Sequence, residues 1–151
     1  DALAPSLMST VTKGEHMVEF LNMMNISVAC IGNHEFDFGV EHLEAKCIAK
    51  TNFPWLCSNA WDITTGHRLA GASESLILEH QGVKVGFMGL IEEEWLATLA
   101  TIERDEVHYL DYVQVARDLN AKLRDAGATV VIALTHMRSP NDRRLAESVP
   151  E

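Results

Sequence analysis

The sequence predicts an α/β protein of mixed sheet content, and three observations carry that prediction. The run Ile26-Ser27-Val28-Ala29-Cys30-Ile31, a helical stripe at Val40, Leu43 and Cys47, and the run Phe53-Pro54-Trp55-Leu56-Cys57 form a strand-helix-strand unit. Residues 75–80 and 83–89 flank Gln81-Gly82 as the arms of a β-hairpin with a glycine turn. A capped helix after Asp111 leads into Thr129-Val130-Val131-Ile132-Ala133-Leu134, the clearest buried strand in the chain.

Each element has a local reason. Thr12-Lys13-Gly14-Glu15 fits a capping box, in which a hydroxyl and a carboxylate satisfy orphan amides, and Met17, Val18, Leu21 and Met24 follow at helical spacing. A helix over residues 13–24 is expected. The short, β-branched run from Ile26 suits a parallel strand covered on both faces, and it delivers the chain into Gly32-Asn33-His34. Asp37 stands where it can accept amides at the start of the helix from Val40. Residues 91–110 show no clear period and fit a short helix or an irregular excursion equally. Asp111 caps a helix whose core face holds Val115, Ala116, Leu119 and Leu123, and Gly127 stops it. Ser139-Pro140-Asn141-Asp142 has the cap, first-turn proline and acidic third position of a further helix. No internal repeat or low-complexity tract interrupts this order, so one compact unit is expected.

Composition narrows the function classes. With 22 acidic against 12 basic residues the formal charge is -10, and the cations are scattered. A nucleic-acid polymer is disfavoured as partner, because that affinity rests on clustered cations that displace phosphate counterions. Cys30, Cys47 and Cys57 show no disulfide or zinc spacing and read as small buried hydrophobes of a reducing compartment. No apolar run is long enough to span a membrane, and no signal peptide or lipidation motif is present, so a cytoplasmic or otherwise intracellular protein without a membrane partner is expected. The chain opens at Asp1 without a methionine and stops at Pro150-Glu151, which reads as part of a longer protein.

Ligand sites in parallel α/β sheets gather beyond the carboxyl ends of strands, where Asn33-His34 and Thr135-His136 fall. An amide oxygen and an imidazole nitrogen suit a divalent ion such as zinc, manganese or iron. The other histidines, His16, His42, His67, His80 and His108, have surface or packing positions, and Glu92-Glu93-Glu94 reads as a solvated acidic face.

Gly32-Asn33-His34-Glu35-Phe36-Asp37 resembles the GNHEFD block of calcineurin-like metallophosphoesterases, particularly their 5'-nucleotidase-like branch. The resemblance implies a metallophosphoesterase fold of mixed β-sheets sandwiched by α-helices (α/β/β/α). It implies two divalent metal ions of the Mn, Zn, Fe or Co type and a phosphoester substrate such as a nucleotide. In that family an Asp-x-His block comes first, then a Gly-Asp, then this Asn-His, and a strand-end His and a Gly-His-x-His follow. Carried over by position, Asn33 is a ligand of the second metal and His34 the non-ligand histidine that faces the phosphate. Asp37 orients His34 and favours its cationic, proton-donating form. His136 matches the strand-end ligand, and Asp1-Ala2-Leu3-Ala4-Pro5-Ser6 resembles the stretch after the glycine of the Gly-Asp block, which makes Asp1 the bridging ligand. Glu35 takes a structural role.

The implied mechanism is in-line attack on phosphorus by a hydroxide held between two metals, without a covalent intermediate. No Asp-x-His precedes Asp1 and no Gly-His-x-His follows His136, so residues 1–151 are expected to be a partial catalytic domain, inactive alone. Val149-Pro150-Glu151 resembles the lead-in to the strand before the last block. The alternative is a phosphoesterase-like domain kept as a non-catalytic structural or interaction subunit of a larger assembly. The resemblance leaves a phosphomonoesterase and a cyclic phosphodiesterase equally compatible with these residues.

Overall fold

The computed structural model describes residues 1–149; Pro150 and Glu151, and with them most of the expected lead-in to a final strand, lie outside the described residues. Helix α1 (Leu7–Thr12) is capped by Ser6, whose hydroxyl accepts the Ser9 N–H at 2.9 Å while the Ser9 hydroxyl accepts the Ser6 N–H at 2.7 Å. Thr12 therefore ends a helix and does not start one. Its hydroxyl lies 3.0 Å from the Met8 carbonyl and 2.6 Å from His16 Nδ1. The chain turns at Gly14, whose φ of 84° is in the left-handed region that favours glycine, and α2 (Glu15–Met23) follows without a side-chain cap. The capping box expected at Thr12 is thus displaced by one at Ser6, because Gly14 breaks the chain between the two helices.

Strand β1 (Ala29–Cys30) pairs parallel with β2 (Trp55–Leu56), Ala29 opposite Trp55 and Cys30 opposite Leu56. The ladder is shorter than either apolar run. Between them lies a helical segment that begins as α3 (Val40–His42), widens to a π turn over Leu43–Cys47 and tightens to a 3-10 turn over Ile48–Lys50. It starts at Gly39, without a side-chain cap, because the carboxylate of Asp37 is engaged by His34. Strand β3 (Ala60–Asp62) follows, then the predicted hairpin of β4 (Ser75–His80) and β5 (Val83–Ile91).

The stretch without periodicity resolves into two 3-10 turns, Glu93–Thr98 and Arg104–Glu106, and strand β6 (Val107–Tyr109), antiparallel to β3. Asp111 caps α4 (Tyr112–Asp125), accepting the Val113 and Gln114 amides. Strand β7 (Val130–His136) then runs parallel to β5, and α5 (Ser139–Ser148) closes the described chain with proline in its first turn. The cap position of α5 is Arg138, one residue before the serine expected there.

Alternation along β5 organises two cores. Met88 and Leu90 pack with Val115, Ala116, Leu119 and Leu123 of α4, whereas Ile91 joins Val18, Leu21, Leu43 and Trp55 on the opposite side. Between them Gly89 lets the sheets approach closely, since a Cβ there would stand 2.5 Å from Leu56 Cβ. Ser58 exchanges two bonds with Gly89 across the same gap: its N–H donates to the Gly89 carbonyl at 2.6 Å and its hydroxyl accepts the Gly89 N–H at 2.8 Å. The layers are therefore helix, sheet, sheet, helix, as expected.

Strand β7 departs from expectation. It lies at the end of the sheet order β4-β5-β7, and Val130 and Ile132 are 45% and 40% exposed. An apolar parallel strand is buried only when it has neighbours on both edges and cover on both faces, and among the described residues β7 has β5 on one edge alone. The three cysteines are free, and burial pushes the Cys47 and Cys57 thiols up to about 11. Among the described residues no helix is long and apolar enough to cross a membrane.

Candidate functional site

The site forms where β1 and β7 deliver their carboxyl ends side by side. After β1 the chain passes through Gly32 into a 3-10 turn over Asn33–Phe36, and β7 ends on His136. Asn33 Oδ1 lies 2.9 Å from His136 Nε2, although 103 residues separate them. Asp1 completes the convergence, with Oδ2 3.3 Å from the same nitrogen and Oδ1 accepting the His34 N–H at 3.0 Å. Gly32 makes room for it, since a Cβ there would stand 2.4 Å from Asp1 Oδ1.

His34 and Asp37 sit beside this point. The imidazole Nδ1 lies 3.0 and 3.1 Å from the two Asp37 oxygens, and both side chains are about one-third exposed. The carboxylate fixes the ring from the Nδ1 side. Among the described residues Nε2 makes no hydrogen bond, which leaves it for a ligand. All five residues singled out in the sequence thus fall within one cluster.

Glu35 ties the cluster together. Its side chain is fully buried, and its Oε1 accepts the N–H groups of Ala2 at 2.7 Å and Leu3 at 3.0 Å. Oε2 accepts from the Asp1 nitrogen at 2.8 Å and from the Gly32 N–H at 2.7 Å. One carboxylate therefore locks the segment that carries Asp1 to the loop that carries Asn33 and His34.

The turn after β5, opaque in the sequence, supplies the remaining wall. The ring of Trp95 stands edge-on to that of His136 at 6.5 Å and lies 6.0 Å from that of Phe36. Burial holds the His136 imidazole below its ordinary pKa, which favours the neutral form that offers a lone pair. Thr98 Oγ1 accepts a bond from Asn33 Nδ2 at 3.2 Å, and the Thr101 hydroxyl donates to the Phe36 carbonyl at 2.7 Å. These contacts join positions far apart in the chain, so no local pattern announces them.

Glu92 corrects the reading of its acidic run. Glu93 and Glu94 are exposed as expected, but Glu92 is 5% exposed and accepts from the Arg138 N–H at 2.9 Å, the Arg138 guanidinium at 2.8 Å and the Asn141 amide at 2.6 Å. It anchors the turn between His136 and α5, accepting the N–H of the cap residue Arg138, whose own side chain makes no capping bond. Burial pushes its pKa up, but the bonds from Arg138 and Asn141 outweigh that and hold the carboxyl below its usual range. Because the folded value is depressed, its stabilisation is present above the unfolded carboxyl value of about 4.3 and is lost as pH falls through the folded value. Glu92→Gln is expected to flatten the acid side of the stability profile, measured by thermal unfolding across that window; an unchanged slope would contradict the assignment.

No protein-family model matches the chain. It is 28% identical over 142 residues to a 2',3'-cyclic-nucleotide 2'-phosphodiesterase/3'-nucleotidase of Haemophilus influenzae, covering 89% of this chain and 21% of that protein. Its fold matches that of a 5'-nucleotidase precursor from Thermus thermophilus with a TM-score of 0.82 at 23% identity, over 93% of this chain and 27% of the other. The calcineurin-like phosphoesterase YfkN from Bacillus subtilis matches with a TM-score of 0.74 at 22% identity, over 89% and 46%. The chain thus spans about a fifth of the length of that Haemophilus influenzae relative.

Proposed function

We propose that this chain, a relative of the 5'-nucleotidase-like calcineurin-like phosphoesterases with their fold, forms one side of the catalytic centre of a metal-dependent phosphoester hydrolase. The observation that carries the reading is the convergence of Asp1, Asn33 and His136 beside the His34-Asp37 pair. A carboxylate, an amide oxygen and a neutral imidazole are a donor set for borderline divalent ions. Their spacing also fits: adjacent donors around a six-coordinate ion with bonds of about 2.1 Å stand about 3 Å apart, and here they are 2.9 and 3.3 Å apart. Among the described residues no group of three or more His, Cys, Asp or Glu side chains could hold a metal ion. We assign the further donors of a two-metal centre to parts of the protein outside the described residues, and this chain to a partial catalytic domain.

Bound divalent ions would supply Lewis-acid activation of the phosphoryl group. The chain's own residues do the rest of the work proposed here. Asp1, Asn33 and His136 would hold the ions. His34, steadied by Asp37 at Nδ1, presents Nε2 to a phosphoryl or leaving-group oxygen as charge develops on it. Trp95 walls the site, its ring edge-on to that of His136. A nucleotide is the substrate class proposed, following the named activity of the Haemophilus influenzae relative.

The test is phosphate release from nucleotides by the complete protein that carries this chain, after removal of metal and again after adding back manganese, cobalt or zinc. Activity that returns with metal is the expected result. Hydrolysis indifferent to chelation would refute the reading, as would measurable hydrolysis by residues 1–151 alone.

A further inference from the structure

We infer that Thr98 is a positioning residue that sets which end of the Asn33 amide meets the metal, an inference that rests on the reading of Asn33 as a ligand. An asparagine side chain has an oxygen that can bind a cation and a nitrogen that cannot, and rotation about its last bond exchanges them at little intrinsic cost. Some neighbour must choose between the two. His136 does not choose firmly, because a neutral imidazole nitrogen donates or accepts according to its tautomer.

Thr98 does choose. Its hydroxyl has one proton, and that proton is committed to the Trp95 carbonyl at 2.6 Å. Toward Asn33 the hydroxyl oxygen can therefore only accept, and the partner it selects at 3.2 Å is Nδ2. With the nitrogen held on that side, Oδ1 faces His136 Nε2 at 2.9 Å, on the side of Asp1. The chain of constraint begins at a firm anchor, since Trp95 is buried and its ring packs against both Phe36 and His136. It ends at a donor atom. The bond between Thr98 and Asn33 is exposed, so water replaces it in part when the hydroxyl is removed, which sets the loss at the lower end of what such supporting contacts give.

The experiment is calorimetric titration of the metal-stripped complete protein with manganese. Thr98→Val is expected to weaken binding of one ion by about tenfold, and Thr98→Ser, which keeps the hydroxyl, to stay within about threefold of wild type. Thr98→Ala serves as a second variant at this exposed position and is expected to match Thr98→Val. In an Asn33→Ala background Thr98→Val should cost nothing more, because its effect passes through the amide. Affinity unchanged by Thr98→Val and Thr98→Ala, or an undiminished loss in the Asn33→Ala background, overturns the role of Thr98 while leaving the metal site intact. Absence of manganese binding by the wild type overturns both.

Discussion

His34→Ala in the complete protein is expected to lower kcat for phosphoester hydrolysis by about 10²- to 10⁴-fold, the range for removal of a positioned acid-base group, with a much smaller change in KM. The split follows from the position of the side chain. Its backbone N–H is held by Asp1 and its Nδ1 by Asp37, so the ring is fixed before substrate arrives and Nε2 is the atom left to act. A group that meets charge only as the bond breaks contributes to the transition state and little to ground-state binding. Asp37→Asn should cost less than His34→Ala, since it weakens the hold on the ring and keeps the ring. Steady-state phosphate release at saturating metal measures both. A kcat unchanged by His34→Ala would remove His34 from the reaction.

The parts of this fold written in local pattern were legible in the sequence. The hairpin at Gln81-Gly82, the Asp111-capped helix and the strand ending on His136 each rest on a few adjacent residues, and each is found. Where competing local chemistry was present, reading by pattern failed. Thr12 has the form of a cap, yet Ser6 and Ser9 cap an earlier helix, which Lys13 ends in the left-handed conformation before Gly14 starts the next. The exposure of β7 was not legible, because the alternation of residues within a strand says nothing about whether its second edge has a neighbour. In the site, the clustering of Asn33, His34, Asp37 and His136 was legible from strand exits and the family resemblance. Glu92 and Thr98 were not, since their importance lies in partners such as Arg138 and Asn33, 46 and 65 residues away.

Glu35 tests whether the site is built on one buried anchor. Replacing it with alanine would orphan the N–H groups of Ala2, Leu3 and Gly32, and buried donors left unpaired cost about 1–3 kcal/mol each. Relaxation and entering water lower that sum, so the expected destabilisation is about 3 kcal/mol or more, a large share of the stability of an ordinary domain. Glu35→Gln discriminates between shape and acceptor count. The amide fills the same space, but its NH2 end would face N–H groups that need an acceptor, so most of the loss should persist. A merely space-filling Glu35 would make the glutamine variant behave as wild type in thermal unfolding. The functional consequence follows from the same bonds. Asp1 is held beside His136 because Glu35 grips the Asp1, Ala2 and Leu3 nitrogens and the Gly32 N–H with one carboxylate, and releasing that grip frees Asp1 from the point where Asn33 and His136 meet. Metal affinity should therefore fall in Glu35→Gln even at temperatures where the variant remains folded, and calorimetric titration below its unfolding transition separates that loss from instability.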